Sequence, residues 1–98
     1  GENDIPSVFS LRNNYPNPFN PTTQIKYSLP EYAVVSITIF DVMGRSIRSL
    51  INERQSAGYY SIGWDAKNDL GEKVPSGMYI YAIQAGMFKA TKKMILLK

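Results

Sequence analysis

Asp65, Asn68 and Asp69 bring three oxygen-bearing side chains into one polar loop. Oxygens at such spacing raise the question of calcium. The helix–loop–helix calcium site needs oxygens at positions 1, 3 and 5 and glycine at position 6. Counted from Asp65, position 3 is Lys67 and the glycine comes one late, at Gly71. Asx-type turns closing a long hairpin account for the loop better. The chain has no histidine and no cysteine. That removes the commonest general base, the thiolate nucleophile and the usual zinc ligands. Neither a G-x-S-x-G elbow nor an S-x-x-K pair is present. The sequence therefore predicts no catalytic residue, no metal site, no cofactor and no disulfide.

Aromatic rings offer a different chemistry, since sugar faces stack on exposed tryptophan or tyrosine. Trp64, Tyr59, Tyr79 and Tyr81 fall on what reads as two adjacent strands, so an accessory carbohydrate-binding module is one alternative. Their alternation with polar positions is that of a core, which favours packing over binding. Charge gives a third candidate. Residues 1–73 hold 7 basic and 8 acidic side chains, whereas residues 74–98 hold 4 lysines and no acid. Lysine commonly blunts an exposed sheet edge, and a solvated lysine face there explains the imbalance. With no arginine cluster and no helix to enter a groove, nucleic acid is not an expected partner.

These residues are positioned by strands. Around residues 58–85, Tyr60, Ile62 and Trp64 alternate with Tyr59, Ser61 and Gly63, and a second strand over 78–85 is apolar on both faces. This pair is expected to be central, with Trp64 plugging one end of the core. Ahead of it, residues 1–14 read as a linker with a first short strand over 8–11. Asn14, Tyr15, Pro16, Asn17, Pro18, Phe19, Asn20 and Pro21 then make a stiff, non-helical arm, with Tyr15 and Phe19 expected to pack on the core. Pro18 and Pro21 give PxxP spacing once only, too little for a proline-rich ligand. Residues 22–29 alternate with Ile25, Tyr27 and Leu29 inward, and residues 34–41 with Val35, Ile37 and Ile39 inward. Asp41 to Arg45 is a hairpin turn in which Gly44 supplies a positive φ. Residues 46–51 return as a polar strand in preference to a helix over 45–55, and 52–57 read as loop. Residues 87–97 form a long final strand.

Ninety-eight residues suffice for one domain with its own core. The longest apolar run, over 78–83, is too short to span a bilayer, so membrane insertion is not expected. The acidic start carries no signal-peptide pattern, and the chain reads as a piece of a longer protein. The fold class predicted is all-β: an immunoglobulin-like β-sandwich of about seven strands, mainly antiparallel. Residues 1–10 are assigned to the linker and first-strand approach, and 11–98 to the domain.

The arm motif centred on Asn17, Pro18 and Phe19, the Asp41–Gly44–Arg45 turn, the run from Gly58 to Trp64 and Asp65, and the Gly77–Tyr79 strand start occur together and in order. With the ending Lys92, Lys93, Met94, Ile95, Leu96 and Leu97, this succession resembles the C-terminal sorting domain of type IX secretion substrates. It is also similar to the immunoglobulin-like domain of flagellar hook-capping proteins. The first resemblance implies a non-enzymatic module that directs an upstream cargo across the outer membrane to the cell surface or medium, by way of the periplasm. It implies the export machinery as partner, together with a sortase-like peptidase, and places the export signal on Lys92, Lys93, Met94, Ile95, Leu96 and Leu97. The second resemblance implies a structural assembly domain instead.

Overall fold

The computed structural model describes residues 5–97, so residues 1–4 of the expected linker and the terminal Lys98 lie outside the described residues. Seven strands form: β1 (Ser10–Leu11), β2 (Thr23–Leu29), β3 (Ala33–Asp41), β4 (Ser46–Gln55), β5 (Gly58–Trp64), β6 (Gly77–Ala85) and β7 (Phe88–Leu96). They make two sheets, a three-stranded one ordered β1-β2-β5 and a four-stranded one ordered β4-β3-β6-β7. All pairings between these strands are antiparallel. The architecture is an immunoglobulin-like sandwich.

Alternation in sequence becomes the inner face of each sheet. Ile25, Tyr27 and Leu29 of β2 are buried on one inner face, and Val35, Ile37 and Ile39 of β3 with Tyr79, Tyr81, Ile83 and Ala85 of the neighbouring β6 on the other. Each fully buried aliphatic chain contributes about 1.5–3 kcal/mol of transfer free energy. Two polar links cross or close this core. Tyr27 Oη donates to Gln55 Oε1 (2.6 Å), and Tyr81 Oη donates to Arg12 O (2.7 Å) while accepting the Asn14 N–H (2.8 Å). Burial pushes both phenols above their ordinary pKa.

The hairpin between β3 and β4 is built on Asp41. Its Oδ1 accepts the N–H groups of Met43 and Arg45 (2.9 Å each), its Oδ2 accepts Arg45 Nε (2.7 Å), and Gly44 adopts φ 81° with open space where a Cβ would sit. Conformation, not crowding, requires glycine there. The Arg45 N–H is the main reason the Asp41 carboxyl titrates below its ordinary value, assisted by the Arg45 guanidinium and the Met43 N–H.

Several expectations need correction. β5 and β6 are not neighbours: β5 pairs with β2 in one sheet and β6 with β3 and β7 in the other, so residues 65–76 cross between sheets and close no hairpin. The 12 residues between the strands are long enough to span the sandwich, which turn-residue chemistry alone does not reveal. Tyr60 and Ile62 are half-buried and only Trp64 of that trio is sealed, because β5 is an edge of its sheet. β4 runs through Gln55 beyond the expected end at 51, since Asn52 to Gln55 still pair with β3 although mostly exposed. The first strand is only Ser10–Leu11, and Tyr15 is 80% exposed, not packed on the core. The outer face of β6 is less covered than its double apolar pattern suggests, with Met78 42% exposed.

Candidate functional site

The scattered motif residues converge on one pole of the sandwich. Strand registers place Thr23 opposite Trp64, Asp41 opposite Tyr79 and Gly77 opposite Leu96, and Phe19 bridges to Leu96. The arm, the Asp41 turn, Trp64, Asp65, Gly77, Tyr79 and the end of β7 therefore share this pole; Gly58, opposite Leu29, lies at the other. Gly77 has φ 146° with nothing near its missing Cβ, a backbone setting suited to glycine at the strand start.

An aromatic cluster fills the pole. Trp64 meets Phe19 at 5.8 Å between centroids and Tyr79 edge-on at 5.3 Å, the tilted and edge arrangements that ring quadrupoles favour. Trp64 Nε1 donates to Lys67 O (2.9 Å) and Tyr79 Oη to Pro75 O (2.6 Å), so the two polar tips pin both ends of the crossover. Burial, with the Asp41 carboxylate nearby, raises the Tyr79 pKa. Of the four rings considered for sugar stacking, Trp64, Tyr79 and Tyr81 are buried and only Tyr59 is exposed; Tyr59 and the β6 tyrosines are also in different sheets.

The crossover oxygens are spent within the fold. Asp69 N–H donates to Ile47 O and Asp69 Oδ1 accepts the Ser49 N–H (both 3.0 Å), which covers the outer edge of β4. Arg48 Nη1 donates to Lys67 O (3.3 Å) and lies 3.7 Å from Asp65 Oδ1, with Nε 3.9 Å from Asp69 Oδ1. Asn68 Oδ1 accepts two N–H groups, from Leu70 and Glu72. Among the described residues no group of three or more acidic, histidine or cysteine side chains is placed to hold a metal ion.

The other edge of the same sheet is β7, and the arm covers its end. Asn17 Oδ1 accepts the Ile95 N–H (3.0 Å), Phe19 N–H donates to Ile95 O (2.9 Å), and Leu97 N–H donates to Phe19 O (2.8 Å). Phe19 runs parallel to β7 and is 1% exposed. Four residues before Phe19 the arm belongs to the other sheet, where Tyr15 and Gln24 exchange both main-chain hydrogen bonds (2.9 Å). Asn14, Pro16 and Thr23 lock the changeover: Asn14 Nδ2 donates to Thr23 Oγ1, and Thr23 Oγ1 to Pro16 O. At the far end of β7, Phe9 stacks on Phe88 at 5.4 Å.

The proposed signal residues divide by strand alternation. Met94 and Leu96 are core, Lys93, Ile95 and Leu97 are exposed, and Lys92 is half-buried on the inner side opposite Tyr81. Lys92 and Lys93 thus lie on opposite faces, so the expected common lysine face is not formed; Lys89 and Lys93 share the outer one. Ile95 pairs with Met78 and Lys93 with Ile80 across the strands, making a small, half-apolar outer patch. An open cleft of about 630 Å³ beside it is lined by Pro21, Ala66, Lys67, Lys73, Val74 and Leu97 among others. Sequence reasoning missed Arg48, Asn14 and the Tyr81 hydroxyl, because their acceptors, Lys67 O, Thr23 Oγ1 and Arg12 O, lie on other parts of the chain. A lone arginine two positions into a polar strand was the only signal for Arg48.

The FlgD Ig-like domain family model matches residues 17–87. No curated protein matches the chain. Among solved structures, dimeric latent PorU from Porphyromonas gingivalis is similar at TM-score 0.69 and 19% identity, over 95% of this chain and 10% of that one. PorZ, an essential surface component of the type IX secretion system of the same organism, is similar at TM-score 0.59 and 20% identity, over 100% of this chain and 12% of that one. The alkylpurine DNA glycosylase AlkC of Pseudomonas fluorescens is similar at TM-score 0.60 and 11% identity, over 92% of this chain and 30% of that one. At these identities the likeness is one of fold, and the chain spans a small part of each of those proteins.

Proposed function

The chain belongs to the FlgD Ig-like domain family, and from that premise we propose that it is a non-catalytic sorting and anchoring module. In this reading it directs an upstream cargo domain of the same parent protein through the periplasm and across the outer membrane, to the surface or medium. Its partners are the export machinery and a sortase-like peptidase. The observation that carries the proposal is the position of β7. The last strand is an edge, and Lys93, Ile95 and Leu97 present a basic and apolar row outward while Met94 and Leu96 hold the strand in the core. A receptor can therefore read the row without unfolding the sandwich. The likeness of fold to PorU and to PorZ, the latter a component of the type IX system, supports the setting.

The test is export of a periplasm-directed reporter fused to residues 1–98 in a host with that system. The Ile95→Asn/Leu97→Asn and Lys93→Glu variants change exposed positions, so circular dichroism should show folded domains and export should fall to background. Wild-type export from the folded variants removes the last strand as signal. The family match favours a second reading, a structural assembly domain of the hook-cap kind. That reading expects these variants to leave export unaltered and to weaken self-assembly of the parent protein.

A further inference from the structure

The arm holds the end of β7 by a short ladder that it cannot lengthen. In a parallel pairing, the main-chain oxygen of the residue two before Phe19 would accept the Ile95 N–H. The Asn17 side chain takes that bond instead. The next residue that would face β7, Tyr15, already gives both its main-chain groups to Gln24 in the opposite sheet. Because ladder groups alternate, the groups of Thr91 and Lys93 that face the same way as those of Ile95 point to the outer edge, and among the described residues none of them is hydrogen-bonded. Around Phe19 the arm is otherwise exposed at Tyr15, Pro16, Asn17, Pro18 and Asn20. Three hydrogen bonds and one buried ring hold the local segment.

We propose that the β7 edge from Thr91 to Leu97, with the slot now filled by Phe19, is an exchangeable strand site. It takes an extended partner segment that runs parallel to β7, places an aromatic residue in the Phe19 slot against Trp64, and carries acidic side chains before it. The slot fixes the aromatic residue, since Phe19 is sealed between Trp64 and the end of β7. Charge fixes the acids: Lys89 and Lys93 flank the open stretch, and residues 74–98 contain no acidic residue. A partner free of the commitment to Gln24 can satisfy Ile95 with its own main chain and continue the ladder along Lys93 and Thr91. It thereby gains hydrogen bonds that the arm does not make, which favours exchange once the arm lifts. As a receptor site this inference rests on the export reading, but the slot itself can be tested in the purified protein.

The probes are synthetic peptides titrated into the 98-residue chain and followed by amide NMR. One has the arm sequence Tyr-Pro-Asn-Pro-Phe-Asn-Pro; the other, Val-Glu-Val-Glu-Val-Glu-Phe-Asn-Thr, is proline-free, places its acids on the outer face with Lys93, and is long enough to reach the Thr91 N–H. Asn17→Ala removes an exposed side chain that holds the arm, so this variant folds and lifts the arm more often; Phe19→Ala empties the slot. The arm competes at an effective concentration in the millimolar range, so loosening it should tighten binding of the acidic peptide at least about tenfold in the Asn17→Ala chain. On binding, the amides of Thr91 and Lys93 should become protected from exchange, which no arm contact provides. The acidic peptide should bind more tightly than the arm peptide, and replacing its phenylalanine by alanine should abolish binding. Should Phe19→Ala prove unfolded, the Asn17→Ala titration alone decides. Absence of any shift at Lys93, Ile95 and Leu97 in the folded Asn17→Ala chain at millimolar peptide overturns the proposal. Wild-type export from the folded Ile95→Asn/Leu97→Asn and Lys93→Glu variants, with peptide binding to the Asn17→Ala chain intact, would count against the sorting role and leave the strand site standing.

Discussion

Tyr81→Phe isolates the bond network that fastens the arm to the core. The ring is fully buried, so phenylalanine keeps its packing and removes only one hydroxyl. That oxygen donates to Arg12 O at 2.7 Å and accepts the Asn14 N–H at 2.8 Å. Asn14 is 3% exposed, so its N–H loses its partner without gaining water. An abandoned buried donor costs about 1–3 kcal/mol. Arg12 is exposed, so its carbonyl can rehydrate and that loss is nearer about 0.5–1 kcal/mol. Together these give about 1.5–4 kcal/mol, a large share of the roughly 5–15 kcal/mol typical of a domain. Urea unfolding should show a lower midpoint with an unchanged slope, and the Asn14 amide should exchange faster. A loss below about 0.5 kcal/mol would refute the reasoning, because it would mean that the Tyr81 hydroxyl does not help to fasten the arm.

Trp64→Ala should cost about 3–5 kcal/mol, as for other buried aromatic sites; a denaturant melt showing under about 1 kcal/mol would contradict its place beneath Phe19 and Tyr79. Tyr27, Tyr79 and Tyr81 all titrate above the ordinary phenol value, chiefly through burial. Their contribution to stability is complete below pH about 10 and is lost as pH climbs past that value, because the unfolded phenols ionise first. Alkaline titration monitored by phenolate absorbance and melting should show this, with a shallower fall for Tyr81→Phe; an equal slope would count against it. Millimolar calcium should leave the melting temperature unchanged, since Asp65 and Asp69 are engaged by Arg48 and the Ser49 N–H. A rise of several degrees would show a site those contacts do not exhaust.

Local pattern carried much of this fold. The period-two runs in β2 and β3 predicted their inner faces, and Asp41 with Gly44 marked a turn, because these are decided within a few residues. Sheet membership was not legible. Nothing in Trp64 or Met78 says that their strands face each other across the core, a matter of long-range pairing. The polar half of β4 hid for a related reason: an edge strand with a solvated side has little apolar residue pattern to show. Tyr15 was misread because an aromatic ring beside prolines looks like an anchor, yet its main chain, not its ring, is what the fold uses. At the candidate site, the signal residues were named from resemblance, but their division into buried Met94 and Leu96 and exposed Lys93, Ile95 and Leu97 needed the register.

The parallel course of the arm and β7 has a mechanical consequence. The chain runs into the sandwich along the arm and leaves it along β7, both pointing the same way. A pull applied to the leading side of the arm and to the trailing end of β7 therefore slides the two past each other. The bonds joining Asn17 and Phe19 to Ile95 and Leu97 then share the load and must fail together, whereas an antiparallel contact at the same place would open one bond at a time. The domain resists tension along its own chain at the patch where lateral peeling is easiest.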